Sequence, residues 1–526
     1  MKSTLKIRTR FYITEDEFLI KDSMRPLKIN LIHMKKYAYI LILTLFSVGC
    51  DDFLEEDTRG ILSPDGFYAT EAQANAGVFG LYNILKNNNL YGRNLFNYTT
   101  WGTDEMTCSR RFGAANPLLD ASLSTSDLGW TVATWNNLNS LVVNANSVFS
   151  GVNNSSIDPE IKSRILAEAI FLRSVGYYHL THMFGDVVYH KEDLPIDELA
   201  ELGETPAEEI VADLVADLEA TEDDLPTSYE SSEAIRATRW AAKTLRMKLL
   251  LWQGAWAEAE AVGKDIIDNS GLTLEPEFAT LWDNDVDGFT SETIWQMIYA
   301  FDLDTSPLTD FYVPRLRDEP ANQSDRQALE TALDANGDGF TGFGLLIPSD
   351  PFIASLSADD TRTPVNFTQE YEGISLKFPY TPKFQNFDQE TSPRFNHGDN
   401  SIVFRLADIY LMLAEALNEQ NQSAEALTYI NVIRARAYEP DRPDLVGLAQ
   451  DDVRQEISNE RRWELAGEGH RRYDLIRWGT YIETVRNYDY GPLFDPSGIQ
   501  DHQVLFPLDP EQVRLTPGLV QTPGYQ

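Results

Sequence analysis

The chain has 526 residues and a net charge of −39, with 82 acidic against 43 basic side chains. A surface that acidic repels phosphate backbones and argues against nucleic acid as a partner, although a local basic patch can override the average. Cys50 and Cys108 are the two cysteines. If Cys50 is lipidated, no internal disulfide can form and stability must come from packing. Ten Trp, 23 Tyr and 26 Phe are enough to fill a core and still leave stacking surfaces.

Residues 1–33 mix acids and bases and fit no export signal, so Met34 is expected to be the true start. From there Lys35 and Lys36 lead into an apolar run, Tyr37–Val48, which ends at Gly49-Cys50 before the acidic tract Asp51–Asp57. The run falls short of the roughly 20 apolar residues that span a bilayer. Its flanks describe a secretory signal, and the cysteine after the cut adds a bacterial lipoprotein signal, although Ser47 replaces the usual Leu or Val. The expectation is lipidation at Cys50, which would anchor the chain stably. The bland alternative is an ordinary thiol behind a cleaved signal.

The expected organisation is therefore an extension (1–33), a signal peptide (34–49), an acidic tether (50–70) and one domain (71–526). Helical periodicity dominates 71–269 and 402–481, with helices predicted at Ile161–Phe184 and Pro206–Ala220. Between them, about 270–400, prolines such as Pro307, Pro320 and Pro351 break helices, and short aromatic runs alternate with turns. A tail follows at 482–526. Ala241–Ile267 and Ala407–Ile433 share one layout: helix, polar turn, then a second helix opening on Ala257-Glu258-Ala259 or Ala424-Glu425-Ala426. Small alanines let paired helices approach, as in tetratricopeptide-like units. The fold class is mainly α: irregular tetratricopeptide-like helix pairs forming a scaffold, with a loop- and short-strand-rich insertion.

Two acidic tracts, Asp283-Asn-Asp-Val-Asp-Gly288 and Asp334-Ala-Asn-Gly-Asp-Gly339, match the first half of an EF-hand loop. Asp283, Asp285 and Asp287, with Glu292 as a substitute closing ligand, form one candidate calcium site. Asp334, Asn336 and Asp338 form the other. Both lack the closing glutamate at position twelve, and a solvated acidic turn is the competing reading. His179 and His182 sit at i, i+3 on one helix, where packing is the expected role. The dense charges Glu460, Arg461, Arg462, Glu464, Glu468, Arg471, Arg472 and Asp474 read as paired scaffold, against an active site built on Glu464 and Asp474.

Three blocks carry a family likeness: Leu166–Ser174 with Tyr177–Leu180 and Phe184–Val188, Phe404–Asn418 with Ile430–Ala437, and Ile457–Trp478. With the tail Leu505–Glu511 and Leu519–Tyr525, they resemble the SusD/RagB family of outer-membrane nutrient-binding lipoproteins. The resemblance implies capture of a nutrient, most readily an oligosaccharide, with hand-over to a SusC-type TonB-dependent transporter and no bond chemistry. It requires no cofactor and is compatible with structural calcium. It also implies a shallow face where sugar C–H groups stack on aromatic rings. The best matching stretch offers Tyr91, Tyr98 and Trp101 as platforms and Arg93, Asn97 and Asp104 as polar partners; the insertion adds Phe311, Tyr312 and Arg315. For Trp101 and Tyr312, core packing is the competing role, and Trp130 and Trp135 are expected in the core. Rival readings are a peptide-capturing member of the family, an envelope glycosidase with converging carboxylates, and a helical adaptor with no small ligand.

Overall fold

Capping chemistry sets where the helices begin. In the computed structural model, helix α1 (Glu71–Lys86) opens on a capping box, with Gln73 N donating to Thr70 Oγ1 at 3.3 Å and Thr70 N to Gln73 Oε1 at 3.0 Å. The structure describes residues 67–525 apart from 283–288, 301–302, 314, 316–323, 326, 329–330, 332–341, 372, 385–395 and 441. All of these described residues fall in the compact unit 63–526. A short helix α2 (Asn94–Thr100) and a strand β1 (Met106–Thr107) follow, then the long helices α3 (Thr131–Asn153) and α4 (Pro159–Phe184). Asp158 caps α4, accepting from Glu160 N at 2.9 Å, and Pro159 occupies the first helical position.

Helix α4 is not the one-faced amphipathic helix its periodicity predicts. From Ala167 to Phe184 every residue is buried, so it runs through the interior with α1 and α3 packed on it. Its polar side chains therefore need partners. Glu168 accepts from Arg236 Nε at 3.0 Å and from Tyr82 Oη at 3.1 Å, and Arg173 pairs with Asp217 at 2.8 Å.

The two repeats fold as antiparallel helix pairs. After α5 (Ala207–Thr221), α6 (Arg239–Gln253) turns at Gly254 into α7 (Trp256–Asn269). A five-residue helix α8 (Leu308–Tyr312) lies in the following segment, and α9 (Leu406–Glu419) turns at Asn421 into α10 (Ser423–Ala437). Gly254 and Asn421 sit at equivalent places with φ of 70° and 61°, the left-handed conformation that Gly and Asn tolerate best. Helix α7 packs on α9, so the pairs stack, as the shared Ala-Glu-Ala layout predicts. Helices α11 (Gln450–Glu464) and α12 (Arg471–Arg477) complete the frame. Among the described residues no helix is long and apolar enough to cross a membrane.

Among the described residues, sheet is confined to two-stranded pieces. Strand β1 pairs antiparallel with β3 (Ile347–Pro348), β2 (Thr293–Met297) with β6 (Ser401–Arg405), and β4 (Thr368–Tyr371) with β5 (Ile374–Tyr380).

Buried ion pairs join these pieces. Arg405, at the end of β6, uses all five N–H donors: Nη1 on Glu292 (2.9 Å) and Glu464 (2.7 Å), Nε and Nη2 on Glu468 (2.7 and 2.9 Å), and Nη2 also on the Glu464 carbonyl (2.7 Å). Arg362 bonds Asp360, Glu460 and Glu464, and Lys383 bonds Glu468 at 2.9 Å. Burial opposes ionisation of Glu464, but Arg436, Arg405 and Arg362 outweigh it and hold the carboxyl well below its ordinary range. Glu460 goes the other way: burial raises its pKa, and its Oε2 has no partner.

Candidate functional site

Four distant segments meet around the ring of Phe311. Gly344 N donates to the Val313 carbonyl at 2.8 Å, and Leu345 N and Leu346 N donate to the Phe311 carbonyl at 2.8 and 2.9 Å, laying 343–348 along α8. The β1–β3 pairing and Ser109 Oγ, which donates to the Gly344 carbonyl at 2.6 Å, fix the same segment to 106–109. Trp101 Nε1 donates to the Leu345 carbonyl at 2.9 Å. The fourth segment is the turn before α3. Gly129 has φ +54°, and a Cβ there would lie 3.3 Å from Tyr98 Oη, so glycine lets the turn close on that hydroxyl. Trp130 N then donates to Tyr98 Oη at 2.7 Å, which fixes where the indole lies.

These contacts assemble a half-buried aromatic face of Phe112, Trp130 and Phe343 over buried Trp101 and Phe311. Trp130 stands 5.5 Å from Phe112, 5.9 Å from Phe311 and 6.3 Å from Trp101 between ring centroids; Phe343 is 5.5 Å from Phe311. Such spacings are those of favourable aromatic contacts. Half-buried Arg93 lies over the face, its Cζ 3.8 Å from the Trp130 centroid. Arg110 donates to the Phe343 carbonyl, and Arg315 N would be 3.5 Å from a Cβ at Gly344.

Several expected site residues take other roles. Tyr91, Tyr98, Trp101, Phe311 and Tyr312 were expected to be stacking platforms, but all are at most 6% exposed and cannot present a ring face to a ligand from solution. The Tyr91 hydroxyl lies 2.8 Å from His179 Nε2, and Tyr312 Oη donates to the Gly467 carbonyl at 2.9 Å with its ring 4.2 Å from Phe384. Asp104 is held by Arg471 at 2.6 and 2.8 Å. Burial raises its pKa, but Arg471 and Arg462 together bring it below the ordinary value. Asn97 is fully buried, and neither polar atom of its amide has a protein partner. Arg93 does reach a half-exposed aromatic face, though the ring beneath it is Trp130, which helical spacing assigned to the core. Trp130 precedes the first helical residue, so the helix does not set its direction. The polar Ser124–Gly129 stretch before it is the signal that could have found it.

Glu292 is not poised for calcium either. It is fully buried, pairing with Arg405 and with Arg436 at 2.6 Å, and its Oε2 accepts from Glu275 N at 3.0 Å. Asp283, Asp285, Asp287, Asp334, Asn336, Asp338 and Cys50 lie outside the described residues. His179 lies 3.0 Å from the Tyr473 hydroxyl as well as beside Tyr91, and burial lowers its pKa to about 3. Glu464 and Asp474, the candidate active-site pair, are both engaged by buried arginines.

One other aromatic recess is prominent, a cleft of about 450 Å³ between α7, α9, α11 and α12 with Trp256 and Trp478 in its walls. Its charges are already paired, Arg454 with Glu419 and Arg477 with Glu415.

The described residues thus form a stacked helix-pair frame carrying a half-buried aromatic–arginine face. Residues 71–251 match the family described as "Starch-binding associating with outer membrane", and residues 361–525 match the "SusD family". "SusD-like protein P25" of Formosa agariphila is 36% identical over 92% of this chain and 96% of its own length. "SusD-like protein P2" of the same organism is 28% identical over 94% of this chain and 100% of its own. This chain belongs to the SusD family. Among solved structures, a "Laminarin binding SusD-like protein" superposes with a TM-score of 0.72 at 22% identity, covering 87% of this chain and 100% of the other, which shows the shared fold.

Proposed function

We propose that this chain is an outer-membrane surface lipoprotein that binds an oligo- or polysaccharide on the Trp130 face and delivers it to a SusC-type TonB-dependent transporter. The half-buried cluster of Trp130, Phe112 and Phe343 with Arg93 over it carries the reading. Pyranose rings present C–H faces that pack on aromatic rings, here on the exposed parts of Phe112, Trp130 and Phe343, while guanidinium N–H groups bond hydroxyls. The props beneath Trp130 are rigid: the Tyr98 hydroxyl on its backbone and buried Trp101 and Phe311 against its ring. A pre-organised platform spends little ordering entropy on binding.

The family's outer-membrane description and the laminarin-binding protein of the same fold support the saccharide and the location. The signal before Cys50 supports the anchor, which would keep capture beside a transporter. The step is binding and hand-over, without bond chemistry. Affinity electrophoresis against a polysaccharide panel tests the reading: wild type is retarded by at least one glycan, and Trp130→Ala abolishes the retardation while the fold is kept. Peptide binding without glycan binding, or a Trp130→Ala variant that migrates as wild type does, would overturn it.

A further inference from the structure

Most buried arginines have a carboxylate partner, whereas Arg93, like half-buried Arg434 over Tyr438, has none among the described residues. Arg236, Arg246, Arg362, Arg405, Arg461 and Arg471 each bond a carboxylate. Arg472 bonds none, but the Tyr481 hydroxyl and the carbonyls of Gln503 and Val504 take up its Nη groups. Arg93 Nε donates to Asn94 Oδ1 at 2.9 Å, and neither Nη has a protein acceptor among the described residues. A Cζ 3.8 Å from the Trp130 centroid sets the guanidinium over the indole. All five N–H bonds lie in the guanidinium plane, so stacking consumes none of them. The edge that would pair bidentately with an oxyanion is therefore left open beside the aromatic face.

A second arginine reaches the face: Arg110 donates to the Phe343 carbonyl, while Arg111 is turned to Asp120. Asp120 and Asp127 are carboxylates near the face among the described residues. Asp120 pairs with Arg111, and Asp127 stands in the exposed turn before Trp130, close enough to act on the Tyr98 phenol. Neither is paired with Arg93. Burial lowers the pKa of Arg93, in keeping with a guanidinium that has no carboxylate partner among the described residues.

We propose that Arg93 makes the Trp130 face selective for saccharides bearing an anionic group, a uronate carboxylate or a sulfate ester, received on its two Nη groups. The proposal rests on the saccharide reading above and adds the ligand's charge to it. Arg93 already covers the centre of the indole, so a sugar packed on the exposed parts of Phe112, Trp130 and Phe343 would place its substituents beside the open side of Arg93. The strongly acidic remainder of the surface would repel such a polymer elsewhere and confine it to this patch.

The test uses matched pairs of ligands and the purified chain. Isothermal titration compares an oligogalacturonide with its carboxyl-reduced form, and a carrageenan oligosaccharide with its desulfated form. Wild type is expected to bind at least one charged member about ten- to a hundredfold tighter than its neutral partner, the range for a charge-assisted hydrogen bond. Arg93→Gln brings that ratio to about one, and Arg93→Lys, which keeps the charge without the fork, leaves an intermediate ratio. Circular dichroism and the melting temperature confirm that both variants fold. Equal wild-type binding of charged and neutral members, or a preference that survives Arg93→Gln, overturns the inference. If that equal binding disappears in Trp130→Ala, the saccharide reading stands without it. Binding of none of the four ligands by wild type overturns both.

Discussion

Replacing Arg405 with Met should destabilise the fold by roughly 3–5 kcal/mol, the usual result of breaking a buried ion pair from one side. Arg405 is fully buried and is the only residue bonded to all three of Glu292, Glu464 and Glu468 among the described residues. The loss stays in that range instead of multiplying, because each carboxylate keeps another cation. Glu292 retains Arg436, Glu464 retains Arg362 and Arg436, and Glu468 retains Lys383. Methionine fills much of the volume of the arginine stem, so little of the effect is cavity. The pH dependence separates charge from packing. Burial opposes ionisation of Glu464 and Glu468, but neighbouring cations, Arg405 among them, lower both pKa values. Groups so lowered stabilise the fold above the unfolded carboxyl pKa, about 4.5, and lose that contribution as pH falls toward the folded value. The gap between wild type and Arg405→Met should therefore be full at pH 7 and narrow below about pH 4.5. Urea denaturation of both proteins at pH 7, 5 and 4 measures it. A gap under about 1 kcal/mol at pH 7, or one that does not shrink on acidification, would refute the reasoning.

Glu105 should act in the opposite sense. Burial pushes its carboxyl up to about 8 from 4.5, at about 1.36 kcal/mol per unit, so ionising it costs on the order of 5 kcal/mol. Glu105→Gln should match wild type near pH 5 and exceed it progressively toward pH 8.5 in melting temperature; parallel pH profiles would contradict the assignment. Trp478→Ala should leave glycan retardation unchanged, because the cleft it lines already pairs its own charges, whereas loss of binding would move the site there. Cys50→Ala should shift the chain from the membrane fraction to the soluble fraction on ultracentrifugation; unchanged membrane retention would contradict a lipid anchor.

The helical frame was legible because its signals are local. Period 3.6 and the paired Ala-Glu-Ala motifs identify α6–α7 and α9–α10, and Asn421 and Gly254 mark the turns between them. The charges of 460–474 were legible as scaffold for a similar reason: so many opposite charges so close together have to pair. Their partners were not legible. Arg405 finds Glu292 across 113 residues, and Asp104 finds Arg471 across 367. Nothing local marks either contact. Aromatic density likewise says nothing about which way a ring faces. Tyr91, Tyr98 and Trp101 look like platforms in sequence, but α4 covers Tyr91, Phe506 packs on Tyr98 and the 343–348 segment covers Trp101. The all-round burial of α4 hid in the same way, since nothing local shows that Arg236 comes across to meet Glu168, whereas packing was the expected role of His179 and Tyr473 supplies it.

The Trp130 face is the centre of the account, and a crystal structure with a bound oligosaccharide addresses it most directly. The expected result is a pyranose ring packed on the exposed part of the Phe112, Trp130 and Phe343 cluster, with a polar substituent within hydrogen-bond distance of an Arg93 Nη. An oligosaccharide ordered instead in the cleft between Trp256 and Trp478, with the Trp130 face empty, would contradict it.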